Sequence, residues 1–111
     1  MEQPGLFDEK PENKELERAL LFALGDFQSR NKVLADRELA LDRLRGAFRR
    51  AFERFAIDEP EESRVAEALE RLGARIKRIP TFIAKHPYRV TVDVDLAARG
   101  AELFRQTRTN G

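Results

Sequence analysis

The chain has 111 residues, enough for one domain with a single modest core, and 41% of them are apolar against 37% charged. Cysteine is absent, which excludes disulfides, thiolate nucleophiles and the usual zinc sites. No apolar run approaches the roughly 18 residues of a membrane span and no basic start leads into an apolar stretch, so the chain reads as a cytoplasmic protein.

The net charge of +1 conceals an asymmetry. Residues 1–63 carry 11 Lys/Arg against 15 Asp/Glu, a balance of −4, and residues 64–111 carry 10 against 5, a balance of +5. Arg71, Arg75, Lys77, Arg78, Lys85 and Arg89 follow one another, with His86, and no acid intervenes. A one-signed segment in a balanced protein predicts contact with a polyanion. The alternative is a solvated face whose counter-charges come from the acidic half after folding.

Residues 1–12, rich in proline and charge, predict a flexible leader; residues 13–106 read as one domain and residues 107–111 as a frayed tail. From Asn13, a candidate N-cap, Leu16, Ala19, Leu20, Ala23, Leu24 and Phe27 fall at helical spacing on one stripe, and Gly25 weakens the far end. Leu21 and Phe22 lie beside that stripe and would suit a dimer seam. A second, long helix is predicted after a cap at Asp36. Its stripe is Leu41, Leu44, Phe48, Phe52 and Phe55, with Gly46 as a possible break and Arg43, Arg45, Arg49, Arg50 and Arg54 elsewhere on its surface. Pro60 suits a helix start. The third helix then turns Val65, Ala68, Leu69 and Leu72 inward and meets Gly73 as a C-terminal cap. Ile76 and Ile79 would still keep helical register beyond it. Two strands are predicted at residues 81–84 and 88–94, the second with Val90, Val92 and Val94 on one face, around a turn at Lys85-His86-Pro87. Asp95 can cap a last helix that carries Leu96, Gly100, Leu103 and Phe104. The fold expected is mostly α with a small β-hairpin.

Leu69-Glu70-Arg71-Leu72-Gly73-Ala74-Arg75-Ile76-Lys77-Arg78-Ile79-Pro80 resembles the Leu-Glu-x-x-Gly-hydrophobic-x-x-Arg stretch of MarR- and PadR-like winged-helix regulators. Val94-Asp95-Leu96-Ala97-Ala98-Arg99-Gly100-Ala101-Glu102-Leu103-Phe104 resembles the segment with which those proteins leave the wing. Residues 51–60 are similar to the short helix and turn before a recognition helix. The resemblance covers roughly residues 47–106 and implies a winged-helix-like unit with one or two additional N-terminal helices. It further implies a wing at residues 79–94 and double-stranded DNA as partner. The candidate nucleic-acid-binding residues are then Arg64, Arg71, Arg75, Lys77, Arg78, Lys85, His86 and Arg89. Six phosphate contacts would give a slope of log K against log salt near −5, at ~0.9 per phosphate. One departure stands out. The start of the recognition helix, Asp58, Glu59, Pro60, Glu61, Glu62 and Ser63, is acidic, which suits the helix dipole but opposes approach to phosphates.

In the leader, Gln3-Pro4-Gly5-Leu6-Phe7 resembles the Gln-x-x-Leu-Phe peptide with which bacterial replication and repair proteins dock on the sliding clamp. Gln3, Leu6 and Phe7, with Leu21 and Phe22, are the candidate partner-binding residues. They support a second expectation, an adaptor subunit of a larger assembly, such as one that works on DNA. An enzyme is not expected. His86 is the only histidine and sits in a turn, there is no Gly-rich phosphate loop, and Asp93 with Asp95 lacks a third ligand for a metal. No cofactor, metal, membrane or small-molecule substrate is indicated.

Overall fold

The computed structural model describes residues 11–80, 82 and 87–110. Helix α1 (Pro11–Ser29) opens with proline at the position where a missing N–H costs nothing. It therefore starts two residues before Asn13, which is inside the helix and not its cap. Its stripe of Leu16, Ala19, Leu20, Ala23, Leu24 and Phe27 is buried.

The run expected as one long helix from Asp36 is divided. Asp36 has φ 61°, and its N–H donates to the Val92 carbonyl at 2.7 Å, so it begins a sheet edge and caps no helix. Strand β1 (Glu38–Ala40), a 3-10 turn (Leu41–Leu44) and helix α2 (Arg45–Arg54) follow. The break falls before Arg45, with Gly46 already within α2. Leu41, Leu44, Phe48 and Phe52 still face the core.

Helix α3 (Glu62–Leu72) buries Val65, Ala66, Ala68 and Leu69 and ends at Gly73. Gly73 takes φ 115°, where a side chain would be strained, and its N–H reaches the Leu69 and Glu70 carbonyls. Gly73 is thus a hard stop. The helical register of Ile76 goes unused, and strand β2 (Arg75–Arg78) starts at once. The first described wing strand lies before Pro80; of residues 81–84, where a strand was expected, only Phe82 is among the described residues, and it sits in a turn.

Strand β3 (Tyr88–Thr91) pairs antiparallel with both β1 and β2, giving one sheet in the order β1-β3-β2. The Ile79 N–H donates to the Pro87 carbonyl at 2.6 Å and closes the wing ladder. Val94 leaves the strand and opens helix α4 (Val94–Asn110). Asp93, not Asp95, caps it, its Oδ1 accepting the Leu96 N–H at 2.8 Å. Helix extends through residues 107–110, where a frayed tail was expected.

Four helices, an early edge strand and a two-stranded wing form a winged-helix-like α+β architecture that runs from α1 to α4. Helix α4 lies against α1. Gly25 and Gly100 meet at that contact. A Cβ on Gly100 would stand 2.9 Å from the Leu21 carbonyl oxygen and 2.9 Å from Leu24 Cβ, closer than packed atoms allow. Gly25 is therefore a close-approach residue as well as a weak helix former.

Among the described residues, no helix is long and apolar enough to cross a membrane.

Candidate nucleic-acid interface

Side chains alternate across the sheet, so its two faces follow from register. Val90 of β3 is buried together with Leu39 of β1, its direct partner. Arg89 and Thr91 therefore face outward. Lys77 stands opposite Arg89 and Arg75 opposite Thr91, while Ala40 and Glu38 complete the two rungs from β1. The outer face thus carries Arg75, Lys77 and Arg89 side by side, with Glu38 on the far edge.

Like charges placed directly opposite cost a few tenths to about 1 kcal/mol. Lys77 against Arg89 bears that cost, and no ion pair among the described residues relieves either cation. Arg89 is half-buried and its Nε is enclosed without a hydrogen-bond partner among the described residues, a further expense. Arg78 belongs to the opposite parity and lies over the ring of Tyr88, its cross-strand partner, with 5.6 Å between guanidinium carbon and ring centroid. That stacking holds it at the wing end of the ladder. Lys85 and His86, the expected wing tip, lie outside the described residues.

Helix α3 offers a different surface. Arg71 is engaged, since its Nε donates to Glu17 Oε2 of α1 at 2.7 Å and ties the two helices together. It is a poor candidate for phosphate contact. Arg64 is exposed in the first turn, among exposed Asp58, Glu59, Glu61 and Glu62. The helix start that would read bases is electronegative.

Three arginines near or on α2, Arg45, Arg50 and Arg54, make intramolecular contacts. Asp26, the one buried charged residue among those described, accepts from Arg30 Nε at 3.0 Å and Arg50 Nε at 2.6 Å. Arg54 covers the ring of Phe22 and donates to the Thr107 carbonyl at 3.2 Å, and Arg45 pairs with Asp42 at 3.9 Å. All three remain exposed to solvent, as do Arg43 and Arg49.

The candidate partner seam changes most. Phe22 is buried, its ring 5.5 Å from that of Phe55 and 4.9 Å from that of Phe104. Leu21 is half-buried against the core. Helix α4 covers the row that would have been a seam, so its apolar surface is satisfied within one chain. Gln3, Leu6 and Phe7 lie outside the described residues. The most exposed large apolar side chain among those described is Phe82, at 88%, between the wing strands. Its exposure had no signal in the sequence, because Thr-Phe-Ile-Ala reads as a buried strand.

No group of three or more His, Cys, Asp or Glu able to hold a metal occurs among the described residues. Comparison with protein-family models, curated proteins and solved structures returned no match. What the fold and the site define is a winged-helix-like protein with a cationic sheet face.

Proposed function

We propose that this is a small non-enzymatic DNA-binding protein of winged-helix type, similar to MarR- and PadR-like regulators in the segments that resemble them. It contacts phosphates through the outer face of its wing and acts as a regulator or accessory factor. The observation that carries this reading is the cross-strand placement of Lys77 against Arg89, with Arg75 beside them. Three cations aligned with no ion pair to relieve them among the described residues are costly in the free protein, and a polyanion recovers that cost. Phosphate contact is favoured over base readout because α3 begins with carboxylates.

Arg75, Lys77 and Arg89 make three contacts, for a salt slope of about −2.7 at ~0.9 each. The test is electrophoretic retardation of a random duplex at two salt concentrations, with Lys77→Glu/Arg89→Glu beside the unchanged chain. Retardation lost at higher salt and absent in the variant supports the reading; equal retardation by both proteins refutes it.

A protein-binding adaptor role is favoured by one separate observation, the exposed Phe82 between the wing strands.

A further inference from the structure

We infer that the cleft between the 3-10 turn, α2 and the start of α3 binds an organic cation with a ring-sized apolar body, such as an arylalkylammonium. The cleft encloses about 270 Å³, close to the small end of the range for ligand cavities, roughly 300 Å³ upward. Leu41, Phe48, Phe52 and Val65 form its apolar wall. Phe48 and Phe52 are stacked, with centroids 6.3 Å apart and planes at 27°, which fixes the wall's shape.

Glu59 and Glu62 stand at the rim and are both exposed. Neither has an ion-pair partner among the described residues. Among the described residues the one cation lining the cleft is Arg45, 3.9 Å from Asp42, a third carboxylate of the lining, so the lining keeps an excess of negative charge. Glu62, in the first turn of α3, also serves the helix dipole. Glu59 precedes the helix and Glu61, its N-cap, and gains little from that field. An apolar wall beside two uncompensated carboxylates selects a ligand having both an apolar body and a positive charge. An anion of the same shape is repelled, and a small cation without a body leaves the wall wet. This site carries the opposite sign to the sheet face and does not depend on DNA binding.

The test titrates the full chain with phenethylammonium, followed by amide chemical shifts and calorimetry, with phenylacetate and ethylammonium as comparison ligands. The expected result is saturable binding of phenethylammonium alone, with shifts confined to residues around the cleft. Glu59→Gln/Glu62→Gln weakens it by about fivefold to tenfold, the scale of two exposed ion pairs. Equal binding of phenylacetate, shifts centred elsewhere, no saturation, or a variant that binds as the unchanged chain does would overturn the inference. The ligand series on the unchanged chain decides the matter even where the variant loses stability.

Discussion

Replacing Gly25 by alanine tests the packing of α4 on α1, the contact that covers Phe22. A Cβ there would overlap the Gly100 carbonyl oxygen and Phe104 Cβ, and Gly100 C would stand 2.9 Å away. These are a backbone group and a Cβ, neither of which swings aside. The helices must separate instead, loosening Phe104 from Phe22. Overpacking of this kind costs about 1–3 kcal/mol and can exceed that where backbone is the obstacle. Alanine returns about 0.8–1 kcal/mol of helix propensity. The net expectation is destabilisation of about 1–2 kcal/mol, a fall in Tm of roughly 5–10 °C for a domain near this size.

Gly46 supplies the internal comparison. Its Cβ would meet only the end of the Arg50 side chain, at 3.4 Å. Gly46→Ala should therefore keep most of the propensity gain and raise stability by roughly 0.5 kcal/mol. Urea and thermal unfolding followed by circular dichroism measure both. If Gly25→Ala is as stable as the unchanged chain, or moves in the same direction as Gly46→Ala, the close crossing is not there.

Asp26→Asn removes the charge shared by Arg30 and Arg50. Those guanidiniums are 52% and 43% exposed and recover hydration, so urea unfolding should show a loss of only about 1–2 kcal/mol. A neutral result would mean that the bridge contributes nothing. Arg71→Gln should leave duplex binding nearly unchanged, because Arg71 is held by Glu17, whereas Arg75→Gln should weaken it; quantitative retardation assays separate the two. Phe82→Ser, at an exposed site, should alter stability by no more than about 0.5 kcal/mol. A large drop in Tm would place Phe82 in the core.

Much of this fold is legible in the residues, and where it is not, the reasons are physical. The stripes of α1 and α3 and the stop at Gly73 follow from spacing and from the φ that glycine permits. Strand β1 is three residues long with Leu39 alone buried, too short to show alternation, and Leu41 to Phe55 continue in a helical pattern that absorbs it. The onset of β2 was masked because Ile76 fits helical and extended readings equally; the cap at Gly73 decides between them. The basic character of residues 71–89 is plain from composition. Its division is not: long-range pairing puts Lys77 beside Arg89, while Glu17, 54 positions away, removes Arg71 from the same surface. Phe22 followed the same course, since its partner Phe104 comes from the far end of the chain.

The most direct measurement is the salt dependence of duplex DNA binding for the unchanged chain and for Arg75→Gln/Lys77→Gln/Arg89→Gln. The wing-face account predicts a slope of log K against log salt of about −2.7 that falls to about zero in the triple variant, with unfolding stability retained. Absence of binding by the unchanged chain at low salt, or the same slope for both proteins, would contradict it.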